Sequence, residues 1–301
     1  MSAATRPGRL VLLGHPVAHS VSPLFQNAAL RCAGIPLVYE ALDTPRDELA
    51  ARLDALVAER AAGNVTIPHK ERVAERCASV TPVAERVGAV NTFCVGDDGS
   101  LSGHNTDVAG FELLARTALG DAPLPRRVAL LGAGGAAAAV LAAVERWPGC
   151  TVTLFNRSVE RSARLAERFT VVRELAGDAD RAVKGCDMVI NATPLGLAAN
   201  DALPVAVDSL EREAVVVDLV YGRNETPWVH AARAAGHRAA DGLAMLLEQG
   251  ALAFEWWFGV PAPREVMRRA VLEGEASDHA RHARGSGDRL DSHPRESGDP
   301  F

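Results

Sequence analysis

Val128-Ala129-Leu130-Leu131-Gly132-Ala133-Gly134-Gly135-Ala136-Ala137 is the stretch on which the fold turns. Four consecutive apolar residues suit a strand buried on both faces, and the glycine-rich run after them opens directly into an alanine-rich segment, 136–144, with high helix propensity. Glycines at this junction allow a tight turn and let the backbone approach a pyrophosphate. That group would meet the free N–H groups and the positive dipole end of the helix. Ala137 stands in the slot of the third glycine, which mainly governs helix–strand packing and tolerates alanine. The alternative for this segment alone is a glycine-rich turn that holds no ligand.

Downstream the pattern repeats: strand 152–155, helix 158–169, strand Met188–Asn191 and strand 215–219. Strands alternating with helices predict a parallel sheet and a Rossmann-type dinucleotide-binding unit. Units that take NAD usually carry Asp or Glu at the end of the second strand, where the carboxylate accepts from the ribose hydroxyls. This chain has Asn156-Arg157-Ser158 there. A carboxylate would repel a 2′-phosphate, whereas a guanidinium matches phosphate oxygens with a planar fork of donors, so NADP(H) is the expected cofactor. Arg161, one helical turn on, could face the same phosphate. The alternative is that Ser158 only caps the helix and both arginines are solvated.

Upstream, a strand is expected at 10–13, an amphipathic helix at 23–33 and a longer helix over 46–61. Apolar runs follow at 64–67 and 89–95, with a hairpin turn at Asp97-Asp98-Gly99. A further helix is expected over 242–258, where Leu243, Leu246, Leu247, Leu252 and Phe254 recur at helical spacing. From Gly274 onward Gly, Ser, Asp, Arg, His and Pro dominate, which predicts a disordered tail.

At 301 residues the chain predicts two cores, or one core with a large lobe, and two domains would create a cleft between them. With 48% hydrophobic and 23% charged residues the composition is that of an ordinary globular protein. A net charge of −6 argues against nucleic acid or an anionic lipid surface as partner. Cys32, Cys77, Cys94, Cys150 and Cys186 are scattered and never form a CxxC pair, so neither a disulfide framework nor a metal site is expected. They read as reduced, mostly buried thiols. No apolar run reaches a membrane span and the N-terminus lacks a signal-peptide pattern, so a cytoplasmic location is expected.

Four polar motifs punctuate the first third: His19-Ser20-Val21-Ser22-Pro23, Asn64-Val65-Thr66-Ile67-Pro68-His69-Lys70, Gly88-Ala89-Val90-Asn91-Thr92 and Asn105-Thr106-Asp107. Pro23 marks a first helical turn, so capping explains one of the two serines. Two hydroxyls near a helix N-terminus would also suit a carboxylate ligand. Asn64, Thr66, Lys70, Asn91 and Asp107 offer groups that could hydrogen-bond a small polar ring. Singly, each reads equally as a cap, a turn residue or a surface ion pair.

Together and in order, these motifs resemble shikimate dehydrogenase over nearly the whole chain, from about Leu10 to Gly259. Gly14-His15-Pro16-Val17-Ala18 before the serines, Gly103-His104 before Asn105, and the 132–136 turn belong to the series. It continues through Asn156-Arg157-Ser158, Asn191-Ala192-Thr193-Pro194, Tyr221 before Thr226-Pro227, Asp241-Gly242-Leu243 and Gln249.

The resemblance implies two α/β domains. A discontinuous substrate domain, 1–107 plus 243–273, wraps around an NADP-binding domain, 108–242, with 274–301 as the tail. It implies reversible NADPH-dependent reduction of 3-dehydroshikimate to shikimate, on the route to chorismate and the aromatic amino acids. It implies that Ser20 and Ser22 hold the substrate carboxylate, that Asn64, Thr66, Asn91, Asp107 and Gln249 bind ring hydroxyls, and that Tyr221 lies at the pocket. Lys70 and Asp107 become the catalytic pair. Gly132, Ala133, Gly134, Gly135, Ala136, Asn156, Arg157, Ser158, Arg161, Thr193, Leu219 and Gly242 become the cofactor-binding residues. The partners implied are small molecules only, in a monomer or homodimer.

His104 and Ala138 depart from the family pattern, the second replacing a frequent basic residue after the glycine turn. Two other readings compete. One is a quinate/shikimate dehydrogenase that prefers NAD or takes both substrates, against which Arg157 argues. The other is a ligand-binding or regulatory protein that keeps the fold without turnover, against which the presence of both Lys70 and Asp107 argues.

Overall fold

The computed structural model describes residues 6–198, 200–222 and 225–285. Its elements build two six-stranded sheets. The first is made by β1 (Arg9–Gly14), α1 (Ser22–Cys32), β2 (Tyr39–Asp43), α2 (Leu49–Ala58), β3 (Ala61–Val65), α3 (Lys70–Arg76), β4 (Ser79–Val80), α4 (Pro82–Val87), β5 (Thr92–Val95) and β6 (Leu101–His104). Helix α5 (Asp107–Leu119) then leads to the second sheet. That sheet comprises β7 (Arg127–Leu131), α6 (Gly135–Val144), β8 (Thr151–Phe155), α7 (Val159–Arg168), β9 (Val172–Leu175), α8 (Ala179–Val183), β10 (Met188–Asn191), β11 (Val215–Asp218), α9 (Pro227–Ala234) and β12 (Ala239–Ala240). The chain closes with α10 (Leu243–Phe258) and α11 (Arg264–Gly285).

The second sheet is parallel throughout, in the order β12-β11-β10-β7-β8-β9. The chain leaves β7 for β8 on one side and later returns to β10 on the other, so β7 is where the winding direction reverses. In open α/β sheets the crevice at such a reversal, outside the carboxyl ends of the strands, is where ligands bind. The glycine turn after β7 opens there. Helix α6 is buried along nearly its whole length, from Ala137 to Val144. It is packed between the sheet and α5, and alanine lets the backbones approach.

The first sheet is mixed, in the order β2-β1-β3-β5-β6-β4. Strand β1 pairs in parallel with β2 and β3, whereas β5 runs antiparallel to both β3 and β6. The β5–β6 hairpin turns at the Asp97-Asp98-Gly99 position that the sequence predicts. Helices α10 and α11 return from the second sheet to cover the first: Phe254, Trp257, Met267 and Val271 share a core with Leu10, Leu12, Phe25 and Tyr39.

Several sequence expectations are corrected. The helix expected over 46–61 is shorter, Leu49–Ala58, because β3 already begins at Ala61. Its alanines and glycine carry little strand signal, and only burial between β1 and β5 explains their conformation. Strand β2 was not foreseen. The thiols are less buried than expected: among the five, Cys186 alone is fully buried and Cys32 is exposed. All five are free. Helix α11 runs past Gly274, where the tail was expected to start, to Gly285; the rest of the expected tail lies outside the described residues. Among the described residues no helix is long and apolar enough to cross a membrane.

Candidate active site

Lys70 and Asp107 each occupy the first position of a helix, α3 and α5 respectively. An ammonium there is opposed by the helix dipole, whereas a carboxylate is favoured. The pair resolves this conflict: Lys70 Nζ donates to Asp107 Oδ2 at 2.6 Å. The carboxylate is almost fully buried and the ammonium about five-sixths so, with side-chain exposures of 5% and 17%.

A web of amides holds the carboxylate. Asn91 Nδ2 donates to Asp107 Oδ1 at 2.8 Å and reaches Gln249 Oε1 at 3.3 Å, while Asn91 Oδ1 accepts from Thr106 N at 2.8 Å. Asn105 Oδ1 accepts from Asp107 N at 3.0 Å, and its amide donates to Ala89 O at 2.9 Å. Asn64 donates to Asn91 O at 3.2 Å and accepts from the Tyr39 hydroxyl at 2.8 Å. Thr66 is half-buried just beyond β3, and its N–H donates to Leu13 O at 2.8 Å.

The glycine turn meets this web. A Cβ added at Gly135 would lie 3.5 Å from Lys70 Cδ and 3.8 Å from Ala89 Cβ, so the lysine stem rests against the glycine turn. Gly132 has φ +116, and a Cβ there would stand 2.7 Å from Ala192 O. Gly134 is the N-cap of α6, makes no side-chain capping bond, and a Cβ there would meet nothing within 4 Å. Gly134 thus leaves room beside the first turn of α6, and no capping side chain competes for the N–H groups of that turn. Ala138 is buried against the core, so the turn carries no basic side chain at that position.

Asn156 Nδ2 donates to Ser158 O at 3.0 Å. Ser158 is the N-cap of α7, its hydroxyl accepting from Arg161 N at 3.4 Å and donating to Glu160 at 2.7 Å. Arg157 and Arg161 are exposed, and neither is paired with a carboxylate among the described residues. Capping and an available guanidinium pair therefore coexist here.

On the remaining wall, Asn191 at the end of β10 donates to Asp218 Oδ1 at 2.8 Å, and its Oδ1 accepts from Thr193 N at 3.0 Å. Asp218 also accepts from Val220 N at 3.1 Å and from Thr226 Oγ1 at 2.8 Å. Burial pushes its carboxyl up to about 6, against the pull of the Thr226 and Asn191 hydrogen bonds. Leu219 O lies against Gly242, where any side chain would collide with it. Asp218, the centre of this hub, was not picked out from sequence, although Asn191, Thr193 and Thr226 around it were. Its signal is a carboxylate ending the run Val215-Val216-Val217, where a buried charge must find donors.

An ion pair also links elements of the two sheets. Arg86 of α4 makes a bidentate pair with Glu145 at the end of α6, at 2.9 and 2.5 Å, and stacks 4.0 Å over the Phe169 ring. Tyr221, just beyond β11, lies near Ser20; burial raises its phenol and the Ser20 hydroxyl opposes that rise. The serines correct one expectation. The N-cap of α1 is Val21, with no side-chain cap, and Ser22 is already helical. Ser20 Oγ instead accepts from Ser22 N at 3.2 Å. His69 is fully buried, its Nε2 at 2.6 Å from Thr44 O, a packing role. His104 pairs with Thr81 Oγ1 at 2.7 Å and packs on Trp256, and burial lowers its pKa.

Lys70, Asn91, Asp107 and Gln249 thus converge, with Asn64 one bond away, while Ser20 lies beside Ser22 and near Tyr221. Family models for the shikimate dehydrogenase substrate binding domain, shikimate/quinate 5-dehydrogenase and the shikimate 5′-dehydrogenase C-terminal domain match residues 12–93, 114–245 and 242–272. The shikimate dehydrogenase (NADP(+)) of Methanopyrus kandleri is 40% identical over 273 residues, 87% of this chain and 94% of that protein. The crystal structure of shikimate dehydrogenase from Aquifex aeolicus superposes with a TM-score of 0.81 at 34% identity, covering 90% of this chain and 99% of that one. That of shikimate 5-dehydrogenase from Thermus thermophilus, in complex with NADP(H) and shikimate, gives 0.77 at 38% identity, covering 87% and 98%.

Proposed function

The chain belongs to the shikimate dehydrogenase family, and from that membership we propose that it reduces 3-dehydroshikimate to shikimate, reversibly and with NADPH, at the Lys70–Asp107 pair. The enzyme is an NADP-dependent oxidoreductase acting on a CH–OH group, in the pathway to chorismate and the aromatic amino acids. The observation that carries the reading is the seating of Lys70: its stem lies against Gly135 of the glycine turn while its ammonium is 2.6 Å from Asp107. One side chain thereby joins the dinucleotide turn to the polar web.

The residues present suit NADP(H). Open space at Gly134 and the uncapped first turn of α6 fit a pyrophosphate, with Gly132, Ala133, Gly135 and Ala136 completing the cradle. Arg157 and Arg161 fit a 2′-phosphate beside Asn156 and Ser158. Thr193, Leu219 and Gly242 line the nicotinamide end. When bound, NADPH supplies the hydride.

Reduction of a ketone leaves negative charge on its oxygen. The Lys70 ammonium, largely withdrawn from water, holds both a positive charge and a proton where that oxygen needs them. Asp107 orients the ammonium and accepts from a ring hydroxyl, and Asn91 keeps the carboxylate from turning. Asn64, Thr66 and Gln249 supply further partners for ring hydroxyls. Ser20 and Ser22, near the dipole end of α1, hold the carboxylate, with Tyr221 closing over it. All these groups come from one chain, so a monomer or homodimer suffices, and we place the enzyme in the cytoplasm, acting on soluble small molecules.

The test follows absorbance at the nicotinamide band with purified protein, shikimate or quinate, and NADP or NAD. Shikimate-dependent formation of NADPH is expected; its absence overturns the proposal.

A further inference from the structure

Tyr39 opens β2 and is 1% exposed, yet its hydroxyl is in use: it donates to Asn64 Oδ1 at 2.8 Å. The direction of that bond is dictated from the other side of the amide. Asn64 Nδ2 donates to the Asn91 carbonyl at 3.2 Å, and a carbonyl only accepts. The amide nitrogen must therefore face Asn91, the amide oxygen must face Tyr39, and the phenol must donate. Burial pushes the Tyr39 pKa well above that of a free phenol, which keeps the donor proton in place. Of the two amide N–H bonds of Asn64, one goes to Asn91 and the other meets no partner among the described residues.

Tyr39 is itself held on all sides. Its backbone N–H donates to Asn27 Oδ1 and its carbonyl accepts from Asn27 Nδ2, both at 2.9 Å. Its ring packs on Trp257 with centroids 6.0 Å apart. Asn27 lies on α1, the helix whose first turn carries Ser22. The serine end of the pocket and the Asn64 end are therefore tied through Asn27 and Tyr39.

We infer that Tyr39 is a positioning residue for substrate binding: its hydroxyl fixes the Asn64 amide in the one orientation that presents the unused N–H to a substrate ring hydroxyl. The inference rests on the reading of Asn64 as a substrate contact. Removing the hydroxyl leaves Asn64 Oδ1 buried without a donor and frees the amide to rotate, which weakens binding without touching the charges that serve the chemical step.

The test compares Tyr39→Phe, Asn64→Ala and the double variant in steady-state kinetics of shikimate oxidation by NADP. Phenylalanine keeps the packing on Trp257, and melting curves verify that each variant is folded. Tyr39→Phe is expected to raise KM for shikimate about 5- to 20-fold, with kcat within about threefold and KM for NADP unchanged. In the Asn64→Ala background the same change is expected to add nothing, because Tyr39 acts through that amide. A raised KM for Asn64→Ala together with an unchanged KM for Tyr39→Phe overturns the inference alone, as does a Tyr39→Phe effect that persists undiminished without Asn64. An unchanged KM for Asn64→Ala overturns the reading of Asn64 and the inference with it.

Discussion

Asp107 divides its two carboxylate oxygens between two partners, Oδ2 taking the Lys70 ammonium at 2.6 Å and Oδ1 the Asn91 amide at 2.8 Å. The carboxylate thus cannot turn without losing one of them, and the ammonium is held at a fixed point beside the glycine turn. Lys70→Ala is expected to lower kcat by about two to four orders of magnitude with a smaller change in substrate KM, in line with losing acid–base or charge stabilisation. Asp107→Asn removes the counter-charge and is expected to cost about 100-fold in kcat. The two act as a unit, so the double variant should be little worse than Lys70→Ala. Initial rates of NADPH formation decide this; a wild-type kcat for Lys70→Ala would remove Lys70 from the mechanism.

Gly132 and Gly134, two residues apart, should respond oppositely to a side chain. At Gly132, φ is +116 and a Cβ would stand 2.7 Å from Ala192 O, so Gly132→Ala meets both backbone strain and a collision. A loss of about 1–3 kcal/mol of stability is expected, read as a lower melting temperature. Gly134 has φ −99, which any residue adopts, and open space around it. Gly134→Val should melt like the wild type while raising KM for NADP about tenfold or more, since the added atoms fill the space assigned to the pyrophosphate. A fully active, NADP-tight Gly134→Val would displace the cofactor from this turn.

Arg157 and Arg161 stand exposed beside the Ser158 cap with no carboxylate partner among the described residues, so their charge is available to a ligand. Arg157→Asp places a carboxylate where the 2′-phosphate is proposed to lie. It should raise KM for NADP by about tenfold or more and leave KM for NAD nearly unchanged. Equal effects on both cofactors would contradict this placement.

The cofactor-side sheet was legible because its code is local. An apolar run reads as a buried strand, and a glycine turn followed by alanines reads as a helix start; Met188–Asn191 was found to the residue. The polar web has no local code. Asn91 meets Gln249 across 158 positions of sequence, and each of its members, read singly, is an ordinary cap or turn residue. Only their order along the chain raised them above that. Tyr39 was invisible for a related reason: Tyr39-Glu40-Ala41-Leu42-Asp43 has no strong strand pattern, and its conformation is set by β1 alongside and Asn27 above. The capping reading of Ser20 and Ser22 failed because Pro23 fixes a first turn only to within a residue, and the helix begins one position earlier than capping by Ser22 would need.

Asp218 ties stability to pH in a direction opposite to that of most carboxylates. It is completely buried and its carboxyl is pushed up to about 6 from an ordinary value of 3.8. The folded state therefore holds this proton more tightly than the unfolded chain does. Its favourable contribution is fully present below the unfolded value and is lost as pH rises through about 6, where the carboxyl ionises without leaving its site. The span corresponds to a change on the order of 3 kcal/mol. Asp218→Asn keeps the shape and does not titrate. Its amide oxygen can still accept from Asn191 and Val220, and its amide nitrogen can donate to Thr226 Oγ1, which now donates to Asp218. The melting temperature of Asp218→Asn relative to wild type should therefore climb by roughly 2–5 °C between pH 4 and pH 7.5. A difference that stays constant over that interval would mean that Asp218 remains ionised throughout, sustained by its three donors.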